Sequence, residues 1–323
     1  MNLLEQLKTQ TKVVADSGDF ESVRKFKPVD TTTNPSLIYA AAKDSKYAYL
    51  IDEAIAYAKK KPGDKASQLR IAFEKLFICF GMEILKIVPG RVSIEVDARL
   101  SFDTEGTIQK ARELVGQFKE AGVDKERILI KIAATWEGIK AAEVLSKEGI
   151  RCNLTLLFSL PQAIACAEAG VQLISPFVGR VLDWARKDQP DKTFSYEEEP
   201  GVVLVKNIYN YYKKFGYKTE IMCASFRNSG EILALAGCDL MTIAPSFLNE
   251  LESTEGTVVQ NLDTQKAIAS DIQKLNLDEK AFRWMMNEDP MATEKMAEGI
   301  RKFTVDIIKL EDMLLKKLEN PSL

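Results

Sequence analysis

Histidine is absent from all 323 residues of the sequence. Its absence excludes Ser-His nucleophilic arrangements, the commonest general base and most transition-metal sites. Any catalysis must therefore depend on lysine, aspartate, glutamate and water. Disulfides and zinc sites are also disfavoured, because the cysteines are odd in number, widely spaced and without a C-x-x-C pair. We expect reduced core thiols at Cys79, Cys152, Cys166, Cys223 and Cys238.

The sequence also lacks a basic excess and any long apolar run. With a net charge of −3, neither nucleic acid nor an anionic membrane is an expected partner. No stretch reaches the roughly 18 consecutive apolar residues that indicate a membrane span. The first six residues are typical of a short amphipathic helix rather than a signal peptide. We therefore expect a cytoplasmic protein with no membrane association.

What the sequence does contain is a repeated unit, an apolar strand followed by a helical segment. The strand patterns lie at 12–16, 28–33, 91–97, around Lys131, 151–157, 171–177, 218–225 and 238–244. The helical patterns lie at 45–60, 64–88, 104–121, 161–169, 201–215 and 228–236, with further helices beginning near Phe20, Asn34 and Thr135. Strands that alternate with helices imply right-handed crossovers and a parallel sheet. Eight such strands predict a (β/α)8 TIM barrel.

The length of the chain is compatible with two domains, but also with one barrel of about 250 residues carrying extra helices. We predict a single barrel domain over 1–323, with additional helices at the N-terminus, between strands 2 and 3, and at the C-terminus. The last helix, about 290–319, carries a narrow apolar stripe that should pack on the barrel exterior or its mouth. Residues 187–200 are polar and flanked by proline, which predicts a surface loop; whether it moves stays open.

Lys131 is an anomaly in an otherwise apolar, isoleucine-rich strand. Side chains alternate across a strand, so Lys131 lies on the face opposite Ile130 and Ile132. If the isoleucine face packs under helices, the lysine points into the barrel, where poor solvation favours a neutral amine that can attack a carbonyl. A strand-end lysine that extends to water is the ordinary alternative for a single residue of this kind.

Polar residues on other strands strengthen the first interpretation. Catalytic residues of such barrels come from the C-terminal ends of several strands. We therefore expect one cavity to collect the polar residues near these ends, namely Asp16, Asn34, Glu95, Lys131, Thr155, Ser175 and Arg227. Each has an ordinary explanation taken singly, such as a helix cap for Asp16 or a salt bridge for Glu95. These explanations are less convincing for the seven residues together, because unrelated polar residues would not all lie on inward faces at the same end of the barrel.

The chemistry of these groups predicts a role for each. Lys131 would add to a ketone, lose water to give an imine, and use the protonated imine as an electron sink for breaking the adjacent carbon–carbon bond. Glu95, acting through a water held by Thr155, is the expected acid and base, and Asp16 can accept the proton from the hydroxyl whose carbon is cleaved. Phe177 would provide a dry apolar wall that protects the carbanion, although core packing also explains it.

Two arginines lie just past strands six and seven. Arg180 and Arg227, together with Ser225, could clamp a phosphate at a helix N-terminus. Ordinary surface ion pairing is the alternative. In the company of Lys131, the arginines predict a phosphorylated sugar as substrate.

Seven segments that contain these residues follow one another in the chain. They are VADSG at 14–18, TTNPS at 32–36, SIEVDARLS at 93–101, ILIK at 128–131, CNLTLLFS at 152–159, ISPFVGR at 174–180 and ASFRN at 224–228. In sequence and in order they resemble the motifs of transaldolases of the long-chain bacterial and eukaryotic type. The similarity extends to Asp289-Pro290 and to EGIRKF at 298–303, and so spans nearly the whole chain.

The resemblance implies a Schiff-base enzyme of the pentose phosphate pathway that needs neither a metal nor an organic cofactor. It would transfer a dihydroxyacetone unit from sedoheptulose 7-phosphate or fructose 6-phosphate to glyceraldehyde 3-phosphate or erythrose 4-phosphate. Lys131 would form the imine, while Glu95, Thr155 and Asp16 would hold and use the catalytic water and cleave the bond. The other expected contacts are hydroxyl-binding Asn and Ser residues, here Asn34, Asn153, Ser175 and Ser225, and phosphate-binding arginines, here Arg180 and Arg227.

Two rival interpretations stay open at this point. A class I aldolase that releases free dihydroxyacetone would share the lysine and the barrel. A non-catalytic barrel that binds phosphosugars would share the phosphate clamp. A homodimer is compatible with the sequence, which gives neither the oligomeric state nor the preferred donor.

Overall fold

Eight short strands pair in chain order, and the eighth pairs with the first. In the computed structural model, which describes residues 1–320, every neighbouring pair is parallel and the sheet is a closed barrel. The strands are β1 Lys12–Asp16, β2 Thr31–Thr32, β3 Val92–Glu95, β4 Ile128–Ala133, β5 Cys152–Leu157, β6 Leu173–Pro176, β7 Glu220–Cys223 and β8 Leu240–Ile243. The prediction of a (β/α)8 barrel is confirmed.

Helices follow the strands and cover the barrel. They are α1 Leu3–Lys8, α2 Phe20–Phe26, α3 Pro35–Ala42, α4 Ala48–Lys59, α5 Lys65–Leu85, α6 Thr104–Glu120, α7 Trp136–Lys147, α8 Leu160–Glu168, α9 Val178–Asp188, α10 Pro200–Phe215, α11 Ser229–Ala234, α12 Pro245–Ser253, α13 Thr264–Ala269, α14 Glu279–Glu288 and α15 Pro290–Glu319. The additional helices predicted at the N-terminus, between β2 and β3, and at the C-terminus are all present. Within residues 1–320, no helix is both long and apolar enough to cross a membrane.

The sequence pattern does not predict four of these helices. One is α9, directly after β6, and the others are α12 to α14, between β8 and α15. Phe177 precedes α9 and Ala244 precedes α12, and neither side chain accepts a capping hydrogen bond. The usual Ser, Thr, Asp or Asn start signal is therefore missing at both positions. By contrast, Asn34 caps α3 as predicted and accepts a hydrogen bond from Leu37 N at 3.0 Å.

The interior of the barrel is divided into an apolar layer and a polar layer. The apolar layer consists of Val14, Leu129, Leu173, Met222 and Leu240. Because side chains on the same face recur every second residue, the next inward positions on these strands lie one level nearer the C-terminal mouth. Asp16, Lys131, Ser175 and Thr242 occupy that level, so the polar side chains collect at the mouth.

The long helix α15 crosses this mouth. Its buried face includes Gly299, Ile300, Phe303, Ile307 and Leu310, and Phe303 reaches the cavity that holds Lys131. The prediction that this helix packs on the barrel with an apolar stripe is confirmed. Most of the predicted loop at 187–200 is exposed, whereas Glu199, next to the start of α10, is only 2% exposed.

Candidate active site

Lys131 lies in the middle of the polar layer. Its side chain is 6% exposed, and its Nζ lies 3.1 Å from Glu95 Oε2. The ammonium also donates a hydrogen bond to the Thr33 carbonyl at 3.2 Å, and the centroid of the Phe303 ring is 5.7 Å away. Strands β3 and β4 are in register so that Glu95 lies directly beside Lys131. Both side chains therefore lie on the inner face of the barrel. Thus the amine is held among polar groups and shielded from bulk water.

Two carboxyl groups lie near Lys131, those of Glu95 and Asp16, and burial affects the pKa of both. Burial raises the pKa of Glu95 above its ordinary value of 4.5, and the Lys131 charge offsets part of that increase. Burial likewise raises the pKa of Asp16 above 3.8, against the effects of Lys131 and of a hydrogen bond from Thr32. A raised pKa makes a carboxyl group readier to take up a proton and hand it back, as a general acid and base must do.

A chain of two hydroxyl groups ends on Asp16. Thr32 Oγ1 donates to Asp16 Oδ1 at 2.9 Å, and Thr32 Oγ1 is 2.6 Å from Thr242 Oγ1. Since Thr32 donates to the carboxylate, Thr242 is the donor in the second hydrogen bond. Both threonines are buried. The two hydroxyl groups hold the Asp16 carboxylate in place and stabilise its ionised form.

A second network joins β3, β5 and β6 beside the lysine. Asn153 Nδ2 donates to Ser93 Oγ at 3.1 Å, and Ser175 Oγ donates to Asn153 Oδ1 at 2.7 Å. Thr155 faces inward two residues further along β5, and its buried Oγ1 has no hydrogen-bond partner in the part of the chain that the structure describes. Such a hydroxyl is available to a small polar ligand or a water molecule.

Arg180 lies between two aromatic rings. Its guanidinium carbon is 4.7 Å from the centroid of Phe177 and 5.6 Å from that of Phe303. Burial and the nearby charge of Arg227 lower its pKa. No acidic side chain of residues 1–320 forms a salt bridge with Arg180. A partly buried cation without an ion-pair partner is well suited to bind an anionic ligand.

Arg227 occupies the rim of the site rather than the cavity itself. Its Nη2 lies 2.8 Å from Asp183 Oδ2 of α9, and its Nη1 points to Ser225 Oγ at 3.4 Å. The arginine side chain is 36% exposed. Arg227 therefore forms the surface ion pair that was the alternative to phosphate binding. Its Nη1 is nevertheless directed at Ser225, which lines the cavity.

Side-chain alternation predicts that Cys223, Ser225 and Arg227 share one face of the seventh strand, and this prediction is wrong at Cys223. Its thiol packs outside the barrel, 3.4 Å from the thiol of Cys238, whereas Met222 faces inward. Strand β7 ends at Cys223, Ala224 forms one further parallel bridge with Phe177, and Ser225 then adopts a positive φ of 60°. This turn directs Ser225 towards the cavity although the simple period-two pattern would not. The same alternation predicts that Asp97 shares a face with Ser93 and Glu95 of the third strand. Asp97 instead lies past the end of β3 and caps a short 3₁₀ helix, where it accepts a hydrogen bond from Arg99 N.

One cavity collects most of the predicted residues. Its lining residues are Asp16, Thr32, Asn34, Lys131, Ser175, Phe177, Arg180, Ala224, Ser225, Thr242 and Phe303. Glu95 contacts the cavity residue Lys131, and Asn153 is hydrogen-bonded to the cavity residue Ser175. Thr155 is buried nearby, and Arg227 flanks the cavity at Ser225.

Comparison with known proteins decides the family. Residues 13–314 match the family model described as "Transaldolase/Fructose-6-phosphate aldolase". A "Probable transaldolase" of Drosophila melanogaster is 58% identical over 97% of this chain and 95% of its own length. The transaldolase of Bos taurus is 57% identical over 98% and 94%, and that of Methylococcus capsulatus is 58% identical over 98% and 97%. This chain belongs to the transaldolase family.

Membership confirms the prediction of a transaldolase, a transferase of the pentose phosphate pathway that acts on sugar phosphates. Four residues of the cavity were absent from the predicted set, namely Thr32, Ala224, Thr242 and Phe303. Thr242 was detectable, because it follows the interior residue Leu240 at the strand period of two. Phe303 carried no such signal, since its approach to Lys131 depends on where α15 crosses the barrel.

Proposed function

We propose that this transaldolase carries the dihydroxyacetone unit as an imine on Lys131. The observation that supports the assignment most strongly is the position of the Lys131 amine, 3.1 Å from Glu95 Oε2 inside a cavity that Asp16 also lines. Among residues 1–320, Lys131 is the one amine that lines this cavity, and the sequence offers no histidine as an alternative nucleophile or base.

Imine formation needs proton transfer at the ketone carbon. The neutral amine of Lys131 attacks the C2 carbonyl of the ketose phosphate, and the carbinolamine then loses its hydroxyl as water. Glu95 is close enough to take a proton from the amine and to return it to the departing hydroxyl. A water on the free Oγ1 of Thr155 would extend the reach of Glu95.

Cleavage of the carbon–carbon bond needs a base on the far side of the substrate. Asp16 takes the proton from the C4 hydroxyl, the C3–C4 bond breaks, and its electron pair moves into the protonated imine. The aldose phosphate leaves, and the three-carbon unit stays on Lys131. Addition to a second aldehyde reverses these steps, and hydrolysis then frees the lysine.

The remaining cavity residues would hold the substrate. Asn34, Asn153 and Ser175 offer amide and hydroxyl groups to the dihydroxyacetone hydroxyls, and Phe177 forms an apolar wall that excludes water. Arg180, Arg227 and Ser225 would bind the phosphate. The lack of an ion-pair partner for Arg180 in the described residues supports this role, because phosphate would supply the missing negative charge.

The setting of the enzyme is part of the proposal. One barrel domain over 1–323 performs the reaction in the cytoplasm, without a metal or an organic cofactor. A homodimer is the assembly to be tested, by light scattering of the purified protein.

Dependence on an acceptor aldehyde tests the proposed reaction. With fructose 6-phosphate as donor, we expect sedoheptulose 7-phosphate to accumulate when erythrose 4-phosphate is present, and little free dihydroxyacetone to appear when it is absent. Equally fast release of dihydroxyacetone without an acceptor would identify an aldolase instead. Binding of the sugar phosphate without either product would identify a non-catalytic barrel.

A further inference from the structure

Two carboxyl groups outside the cavity are buried against each other. Glu199 lies near the end of the loop at 187–200, directly before α10 begins at Pro200. Glu231 lies in the first turn of α11. The two residues are only 2% and 0% exposed. Their side chains bond to two neighbouring residues of one turn, Arg227 and Asn228, so the carboxyl groups lie close together. The mechanism above uses neither of them, so their burial needs another explanation.

Both carboxyl groups are attached to the turn that carries Arg227. Glu231 Oε2 accepts the backbone N–H of Arg227 at 2.6 Å. Asn228 donates from its side chain to Glu199 at 3.3 Å, and its Oδ1 accepts the backbone N–H of Glu231 at 2.8 Å. Thus the turn between β7 and α11 is held from both sides, by the helix that follows it and by the end of the surface loop.

Little positive charge faces this pair. Arg186 of α9 lies 4.0 Å from Glu199, with its side chain 59% exposed. The other nearby charged groups have different partners: Lys206 donates to the Glu197 carbonyl, and Glu250 accepts from Ser229. Two buried carboxylates in contact cannot both be ionised without a large cost. A proton shared between them removes that cost.

The hydrogen bonds of Glu231 agree with one shared proton. Its Oε1 is buried and has no donor among residues 1–320, as expected if the missing hydrogen lies between the two carboxyl groups. Burial, with the charge of Glu199, raises the pKa of Glu231 to about 7. Glu231 would therefore change its protonation state in the physiological range.

We propose that Glu199 and Glu231, sharing one proton, are positioning residues that hold the Arg227–Asn228 turn in the conformation that binds the substrate phosphate. The proposal rests on the phosphate-binding role proposed above for Arg227. Loss of the proton leaves two like charges in contact, which separates the loop from α11 and loosens the turn. Affinity for phosphorylated substrates then falls, while chemistry at Lys131 continues.

Isosteric amides provide the test. In Glu231→Gln, the amide oxygen can still accept from Arg227 N–H and the amide nitrogen can donate to Glu199, so this variant mimics the protonated pair. The KM for fructose 6-phosphate is measured from about pH 6 to 9, on either side of the titration expected near 7. Glu250→Gln, on α12 beside the same helix, is the matched control.

We expect the KM of the wild type and of Glu250→Gln to rise about tenfold from the acidic to the alkaline end, as expected for the loss of one charge-assisted contact. In Glu231→Gln and Glu199→Gln the rise should be largely absent, while kcat is similar. Glu231→Ala, which leaves Arg227 N–H without an acceptor, should have a high KM at every pH. Titration of the substrate phosphate is common to all variants and does not affect their comparison. The same pH dependence in wild type and both glutamine variants would overturn the proposal.

A second measurement separates failure of this inference from failure of the proposed function. Reduction with borohydride in the presence of unphosphorylated dihydroxyacetone reports imine formation without any phosphate contact. Labelled wild-type protein with no effect of the glutamine variants on KM would reject the positioning role alone. Absence of labelling in the wild type would reject the imine mechanism itself.

Discussion

At the scale of single residues, the site depends on how burial and hydrogen bonds set the pKa values of Glu95 and Asp16, the two carboxyl groups beside Lys131. Thr32 donates to Asp16 and is itself fixed by Thr242. A hydrogen bond to the ionised carboxylate lowers its pKa, so its removal should raise the pKa of Asp16 further. Asp16 must be ionised to accept a proton from the substrate.

Thr32→Val is therefore expected to move the acidic limb of the kcat/KM profile to higher pH. Thr32→Ser keeps the hydroxyl and should leave that limb near its wild-type position. The profiles are measured with fructose 6-phosphate and erythrose 4-phosphate over the range in which each variant stays folded. Identical acidic limbs in the valine and serine variants would show that the hydroxyl chain does not control Asp16.

At the scale of secondary-structure elements, the phosphate site depends on close packing between the start of α9 and the β7–α11 turn. Gly179 N donates to the Ser225 carbonyl at 3.0 Å. A Cβ added at Gly179 would lie 2.5 Å from Arg227 Cγ and 2.6 Å from the Ser225 carbonyl oxygen. Because one of these atoms belongs to the backbone, a larger residue must push the two elements apart.

Gly179→Ala should consequently raise the KM for fructose 6-phosphate by about tenfold, the size expected when a charge-assisted contact is lost. Imine formation with unphosphorylated dihydroxyacetone should be much less affected. Gly116→Ala is the control, since a Cβ at this position of α6 meets nothing within 4 Å. It should leave KM unchanged and stabilise the protein by about 0.5–1 kcal/mol. Equal effects on phosphorylated and unphosphorylated substrates would contradict this view of the turn.

Regular elements were predictable from the sequence, and irregular ones were not. The pattern around Lys131 gave the correct inner face because β4 continues without interruption from Ile128 to Ala133. The same rule failed after Cys223, where a positive φ at Ser225 ends the alternation. Helix α9 was missed because no capping side chain marks its start. Local periodicity cannot report such features.

At the scale of the whole molecule, the count and order of strands were sufficient to predict the barrel, since eight alternating units have few other ways to bury both faces of a parallel sheet. The closure of the site by Phe303 was not predictable, because it depends on contacts between α15 and distant strands. The same limit applies to Arg227, whose partner Asp183 lies on a helix that the sequence did not reveal.

A buried ion cluster links strands at the end of the barrel opposite the site. Arg91, directly before β3, lies 2.7 Å from both Asp30 and Glu220, and these three side chains are 14%, 6% and 20% exposed. Burial alone would raise the pKa of Glu220, but Arg91 lowers it below its ordinary 4.5. The stabilisation linked to Glu220 is therefore present above that value and is lost as pH falls through the lower pKa of the folded state.

Arg91→Met leaves the buried Asp30 without its cation and leaves Glu220 with only the exposed Lys12, 3.8 Å away, so it should lower the free energy of unfolding by about 3 kcal/mol at neutral pH. Arg99→Met removes an exposed arginine with two acidic partners, and it should cost about 1 kcal/mol or less. Urea unfolding at neutral and acidic pH measures both, and the Arg91→Met difference should shrink in acid. Similar losses for the two variants would mean that the cluster is no more than a surface ion pair.

The central claim is that Lys131 holds the transferred unit covalently, and borohydride reduction tests it most directly. Wild-type protein incubated with fructose 6-phosphate and then reduced should carry one three-carbon adduct, located on Lys131 by mass spectrometry of its peptides. Lys131→Arg stays protonated and cannot form an imine, so it should fold, as judged by circular dichroism, yet neither carry the adduct nor turn over. An adduct on another residue, or ordinary transfer activity in Lys131→Arg, would contradict the account.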